Sequence, residues 1–335
     1  MKVHLNRPSL YAATAATLFG FLLGGSATWA SHADTHQAAP ASAEAGIRAP
    51  APPGEPTLMS TDTKYTTRLY GSNPYEEAVA VTQHVYTAAL PLNTPNINNN
   101  DNDRPWGITL VTADDPIAGI SAVPLIHFPN DAPILFVTKT GIPQVTLDEI
   151  KRLGDTGILR DNNTDIFAVG AASNPAVLRQ LAQKGVCAPT AACKVQSITA
   201  PDDFTLANNI DKVYGSIENP DTGVPQMETS ASTGGNGVMD VYIGSADGNS
   251  WQYILPATHF VSHMPGGLLW VHKNSVPAPT ITALKRRMGR AMIYVFGGPS
   301  QVSASVIRTL NQYGAVTRIT NDDGVAYNAP PTDNP

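Results

Sequence analysis

The sequence predicts an α/β protein made of two tandem, Rossmann-like three-layer modules, each with a mostly parallel sheet. Three observations carry that expectation. Apolar runs without polar alternation recur at Gly107 to Thr112, Pro133 to Thr138 and Ile166 to Val169, as strands covered on both faces require. Stretches of helical periodicity separate them. The whole pattern is then stated a second time: Ala113, Gly154 and Gly170 answer to Ala246, Gly289 and Gly297, at separations of 133, 135 and 127 residues. Drift of that size is what loop insertions leave between duplicated units.

The elements follow in order. Thr67-Arg-Leu-Tyr is a short strand. Ser72-Asn-Pro opens a helix from Pro74 to Leu90, with Glu76 and Glu77 in the first turn, where the helix dipole favours negative charge. Strand Gly107 to Thr112 leads to a helix over Ile117 to Phe128. Strand Pro133 to Thr138 leads to a helix around Thr146 to Leu153. Strand Ile166 to Val169 empties into Gly170-Ala-Ala-Ser-Asn-Pro and a helix to Lys184. The second body runs through Asp240-Val-Tyr-Ile-Gly-Ser, Gly266-Gly-Leu-Leu-Trp-Val, Thr280 to Gly289, Ala291 to Ser300 and Val306 to Gly314. One strand template occurs three times, at Thr67-Arg-Leu-Tyr-Gly, Val195-Gln-Ser-Ile-Thr and Val316-Thr-Arg-Ile-Thr. After the first two the chain continues alike, Tyr75-Glu-Glu-Ala-Val-Ala matching Phe204-Thr-Leu-Ala-Asn-Asn; after the third it runs out. The modules are therefore assigned to residues 64–194 and 195–320.

The flanks read differently. Met1 to Arg7 is short and basic, Ala12 to Gly25 is apolar but shorter than the about 20 residues of a membrane span, and small residues follow near Ala30 and Ala33. Residues 1–33 are expected to be a secretory signal peptide, leaving no membrane span after cleavage. Residues 34–63, rich in Ala and Pro, are expected to be a disordered linker, and residues 321–335 a disordered tail. The 335-residue chain carries a formal net charge of −6, and losing Lys2 and Arg7 with the leader would take it to −8. So acidic a protein is not expected to seek nucleic acid.

Two cysteines, Cys187 and Cys193, sit in a stretch that lengthens the first module by eight residues: thirteen separate Gly185 from Ile198, five separate Gly314 from Ile319. In an oxidising compartment they are expected to form a disulfide. No Gly-x-Ser-x-Gly elbow around a serine, Walker lysine or paired-carboxylate context stands out, and no catalytic residue or cofactor is assigned. His259 and His263 have the spacing of two metal ligands on a helix, with His272 as a conceivable third, but no Glu lies between them. The expectation there is ordinary histidines and no metal.

Candidate anion sites are the strand-to-helix turns, where backbone N–H groups open a helix: Gly170 and Ser173 in the first module, Gly297, Gly298 and Ser300 in the second. Helix capping by the same residues explains the same pattern. The densest cationic cluster is Lys285, Arg286, Arg287 and Arg290, either a polymer contact or a solvated helix C-terminus.

Arg68-Leu-Tyr-Gly-Ser-Asn-Pro-Tyr-Glu-Glu-Ala resembles the R-I-x-G-x-D-R-Y-x-T-A opening of the bacterial cell wall-binding repeat 2 family. Ser121-Ala-Val-Pro-Leu, Ala132-Pro-Ile-Leu, Thr146-Leu-Asp-Glu-Ile and Val295-Phe-Gly-Gly-Pro-Ser-Gln-Val-Ser follow that family's module in order, so the resemblance spans roughly residues 64–320. It implies Rossmann-like, non-catalytic modules that attach surface proteins to anionic wall polymers. The chain departs from the pattern in four respects. An Asp of the family falls on Ala118 and on Ser250, its Asp-Arg opening is Asn73-Pro74, and two modules stand where three commonly act together.

The resemblance and the leader together imply an exported, non-enzymatic protein, secreted and held at the cell wall or envelope by non-covalent contact with anionic polymer; with two modules in place of three, a homo-oligomer is among the expectations. The competing expectation is a soluble extracytoplasmic solute-binding protein, its ligand between two α/β lobes.

Overall fold

The computed structural model describes residues 61–62, 67–89, 103–127, 130–216, 240–261 and 266–320. The expected leader, nearly all of the expected linker and the expected tail lie outside them. In chain order the elements are β1 (Thr61–Asp62), β2 (Thr67–Arg68), α1 (Pro74–Val85), β3 (Ile108–Thr112), α2 (Pro116–Ser121), β4 (Ile134–Val137), α3 (Gln144–Leu153), β5 (Ile166–Val169), α4 (Pro175–Leu181) and β6 (Val195–Ile198). Then come α5 (Asp203–Ser216), β7 (Asp240–Ser245), α6 (Ala257–Val261), β8 (Gly267–Val271), α7 (Ala278–Lys285), β9 (Ala291–Phe296), α8 (Ala304–Leu310) and β10 (Gly314–Ile319).

Two four-stranded sheets result, ordered β4-β3-β5-β6 and β8-β7-β9-β10, with every pairing parallel. The two orders are one topology used twice: the chain enters on an inner strand, steps to one edge, then crosses to the other side. The fold is α/β with two tandem modules.

Alternation along the strands builds three layers in the first module. Leu110, Leu135, Val137 and Ile166 join Val79 of α1, Ile150 of α3 and Val177 of α4 in one core. Val111, Phe167, Val169 and Ile198 face the other way, onto Ala118 of α2 and Leu206, Ile210 and Tyr214 of α5. Residues one apart on a strand point to opposite faces, so both faces must be apolar. That is why these strands read as unbroken apolar runs.

Helix boundaries have local causes. Asn73 caps α1, its Oδ1 accepting from the N–H groups of Tyr75 and Glu76 at 3.1 Å. The helix stops at Val85, short of Leu90, because Tyr86 leaves helical geometry and buries its ring in the core. The expected helix over 117–128 is α2 followed by a 3₁₀ turn, Val123–Ile126. Pro124 within it has no N–H to continue the α-helical ladder.

The three copies of the strand template have different fates. β6 is an edge strand of the first sheet and β10 of the second, whereas among the described residues β2 pairs with β1 alone, antiparallel. Thr61 and Asp62, at the end of the stretch read as linker, are thus in a strand pair. The hand-over between modules is spread across β6 and α5: β6 completes the first sheet, and α5 places Leu206 in the first core and Ala207 in the second.

Candidate functional site

Ligands of open parallel sheets settle at the carboxyl ends of the strands. At that end of the first sheet lies a cleft of about 790 Å³, lined by Tyr75, Thr138, Thr140, Arg179 and Gln183 among others. An adjoining hollow of about 300 Å³ shares Tyr75 and Thr138 and adds Asp114 and Lys139. Three elements meet here: the first turn of α1 supplies Tyr75, the turn after β4 supplies Thr138 to Ile142, and α4 supplies Arg179.

The wall is built before any ligand arrives. Thr138 Oγ1 donates to the Gly141 carbonyl at 2.9 Å and accepts from the Thr140 N–H at 3.1 Å. Gln180 Oε1 accepts from the Ile142 N–H at 2.7 Å, and its amide donates back to the Ile142 carbonyl at 3.3 Å. That clamp needs glycine at 141, where φ is +153° and a Cβ would stand 2.9 Å from Gln180 Oε1. On the rim Lys139 Nζ pairs with Asp114 Oδ2 at 2.7 Å. Hydrogen bonding from Lys139 holds the Asp114 carboxyl below its ordinary value. Both partners are more than half exposed, so the pair is easily exchanged for a ligand charge. An exposed guanidinium, an ammonium, a tyrosine ring and side-chain amides around an open cleft offer positive charge, hydrogen bonds and a stacking face to a ligand.

The second module has a ring contact at the same place. Phe204 occupies the position of Tyr75, and its ring lies 4.6 Å from that of His272, which stands where Thr138 does. Asp247 fixes His272 through Nδ1 at 2.7 Å and accepts from the Lys273 N–H at 2.7 Å.

The residues singled out in the sequence are dispersed. Gly170 and Ser173 do follow β5 at the carboxyl end, but Ser173 bonds Ser197 at 2.7 Å, and Asn174 Oδ1 takes the N–H groups of Ala176 and Val177 at 3.0 Å. Gly297, Gly298 and Ser300 follow β9. The Gly297 carbonyl accepts from Arg318 at 2.7 Å, while the Gly298 N–H and the Ser300 hydroxyl both bond Gln301 Oε1, at 3.1 and 3.0 Å. In both turns these groups bond within the chain, as in a capped turn.

Lys285, Arg286, Arg287 and Arg290 lie at the opposite end of the second sheet, between α7 and the start of β9. Arg287 is 1% exposed and grips Asp211 of α5 through both terminal nitrogens, at 2.6 and 3.0 Å. Arg286 reaches the same carboxylate at 2.6 Å. Burial raises the Asp211 pKa, but Arg287 and Arg286 outweigh it and hold the group below its ordinary value. Lys285 and Arg290 remain solvent-facing.

Cys187 and Cys193 form a disulfide and lie in the first core. Ala118, where the family has Asp, is buried, with its N–H held by Asp115 Oδ1 at 2.9 Å. Ser250 opens a 3₁₀ turn, Ser250–Ile254. His259 is on α6 and His263 is outside the described residues. Among the described residues no helix is long and apolar enough to cross a membrane.

The boundary between modules is packed. Ile120 is buried in the second module's core, and Trp270 Nε1 donates to Ser121 Oγ at 2.7 Å. A solute held between two lobes finds no support in that arrangement.

No protein-family model matches the sequence, and no curated protein does. Solved structures do. The fold is shared with Cwp6 and Cwp8 from Clostridium difficile. Cwp6 aligns over 77% of this chain with a TM-score of 0.53 at 19% identity, and Cwp8 over 76% with 0.52 at 18%. The chain spans 35% of the length of each.

Tyr75, Lys139, Arg179 and Gln183 were not singled out by sequence reasoning. A usable signal existed for all four: Tyr75, Lys139, Arg179 and Gln183 each have a counterpart, Phe204, Lys273, Arg308 and Gln312, at the matching position of the second body.

Proposed function

We propose that this protein is an exported, non-catalytic component of the cell envelope, a pair of modules of the cell wall-binding repeat 2 type. Its first-module cleft takes an anionic wall polymer. The observation that carries the reading is the duplicated parallel module itself, shared over three quarters of the chain with two cell wall proteins. The ordered motif resemblance points the same way. In the cleft, Arg179 offers a planar fork to a phosphate or carboxylate, Lys139 exchanges Asp114 for a polymer charge, and Tyr75 stacks on a sugar face. Lys285 and Arg290 stand at the far end of the other module as a separate cationic patch, while Arg286 and Arg287 serve the fold.

Cell fractionation tests the reading. The native protein is expected in the envelope fraction and is released by high salt, because contacts among exposed charges are screened. Arg179→Glu with Lys139→Glu is expected to shift most of it to the medium without loss of folding. Retention unchanged in that variant, with Lys285→Glu and Arg290→Glu instead releasing the protein, would move the site to the other patch. A protein free in the medium at all salt concentrations would end the proposal.

A further inference from the structure

The duplication allows each module to be read as a template for the other's contacts. At the joint within the chain, the second module presents α5 and the edge strand β8. Ile210, Tyr214, Leu268 and Trp270 there are each 1% exposed or less. The first module covers them with α2 and the 3₁₀ turn after it, through Ile117, Ile120 and Val123; Ile210 and Tyr214 lie on the first sheet.

The counterparts of both halves of this joint are open. On α1, Val81 and Val85 stand where α5 has Ile210 and Tyr214, and they are 44% and 45% exposed. The register is fixed by the caps Asn73 and Asp202 and by the buried pair of positions Thr82 and Asp211. On β4, Ile134 and Phe136 correspond to Leu268 and Trp270 and are only half-buried. In the second module the Ser250–Ile254 turn replaces α2, and Tyr253 and Leu255 there are 46% and 43% exposed. Where α5 lies on the first sheet, the second offers half-buried Tyr294 and Ile319.

We propose that these two surfaces receive each other in a second copy of this chain, the α1–β4 face of one copy docking head-to-tail on the Tyr253–Leu255 face of the next. The occupant is argued from continuity with the joint already present in the molecule: the same faces, one module apart, are mated and buried there. β10 already fills the sheet edge that β6 fills at the internal joint, and β2 is paired with β1, so the contact calls for no further strand. Because the two faces differ, the contact is heterologous.

Sedimentation of the purified protein tests this independently of any wall polymer. Self-association is expected at concentrations of about 10–100 μM, a range suited to a modest apolar interface. Val81→Glu with Val85→Glu, and separately Tyr253→Glu with Leu255→Glu, are each expected to be monomeric with unchanged circular dichroism. Mixing the two variants leaves one intact pair of faces and is expected to give a dimer and nothing larger. A wild type monomeric throughout that range overturns the proposal. So does association that persists in both variants, or a mixture that stays monomeric. Failure of polymer binding leaves this result untouched, and the reverse holds.

Discussion

Thr146 Oγ1 donates to the Phe136 carbonyl at 2.9 Å, and Thr280 Oγ1 donates to the Trp270 carbonyl at 2.6 Å. These are the same bond in the two modules, a helix hydroxyl holding the strand before it. Around it the modules diverge. In the first, the acid that joins neighbouring helices is on α3: Glu149 accepts from Thr82 of α1 at 2.6 Å and is chelated by Arg152 at 2.7 Å. In the second, Ala283 stands in its place, and the acid is Asp211 of α5, facing Arg286 and Arg287 just beyond the end of α7. The frame tolerates exchange of the charges between helices provided the buried group finds its partner. Gly267 makes room for the second version, since a Cβ there would lie 2.3 Å from Asp211 Oδ1.

The largest break in this comparison comes from Asp211→Ala. It strands Arg287, buried and charged, and is expected to cost about 3–5 kcal/mol. Thr82→Val at the matching position leaves Glu149 still bound by Arg152 and is expected to cost only about 1 kcal/mol. Urea denaturation of the two variants checks the contrast; equal losses would refute it.

Two acids of the second module answer oppositely to pH. Asp211 titrates below its ordinary value, so its contribution is present above the usual carboxylate range and is lost as pH falls through its lowered pKa. Asp240, in the place of Gly107, is fully buried with neither carboxylate oxygen hydrogen-bonded among the described residues. Burial pushes its pKa up to about 7, against a smaller opposing effect of Arg287. A raised acid favours the folded state most when protonated, so stability is lost as pH rises from the ordinary carboxylate value through about 7. Asp155 of the first module is raised the same way, by burial and by Asp165. Stability is therefore expected to fall between pH 5 and pH 8 in thermal melts, and Asp240→Asn to lessen that fall by about 3 kcal/mol while leaving the part due to Asp155. A variant that keeps the full pH dependence would exonerate Asp240.

The disulfide belongs to the first module alone. Cys187→Ser with Cys193→Ser is expected to cost about 2 kcal/mol, the value for a short closed loop. Limited proteolysis is expected to open the 182–194 loop and leave the second module's fragments unchanged. Early cleavage within the second module would show that the modules unfold as one unit.

What the sequence revealed divides along the same physical line. Strands buried on both faces write their burial into consecutive residues, so β3, β5 and the rest were legible, as was the disulfide loop from its excess length. The fate of Lys285 to Arg290 was not. Four cations in six residues look like a surface, yet Arg287 is buried because Asp211, 76 residues earlier, faces it across a helix pair. Pairing over such distance leaves no local trace. The cleft escaped for the same reason: Tyr75, Lys139 and Arg179 come from three separated segments, and only the fold brings them together.

The smallest effect on stability is also the sharpest probe of what separates the modules. In the second module the rings of Phe204 and His272 are in contact where the first has Tyr75 and Thr138. Phe204→Tyr with His272→Thr gives up that ring contact and is expected to cost about 1 kcal/mol. If the open cleft is what holds a chain of anionic sugars, this variant carries two clefts and is expected to sediment with wall polymer more tightly than the wild type. The reciprocal change, Thr138→His with Tyr75→Phe, closes the first cleft and is expected to abolish co-sedimentation at similar stability. Equal binding in all three proteins would mean that the difference between Tyr75 and Phe204 concerns packing alone.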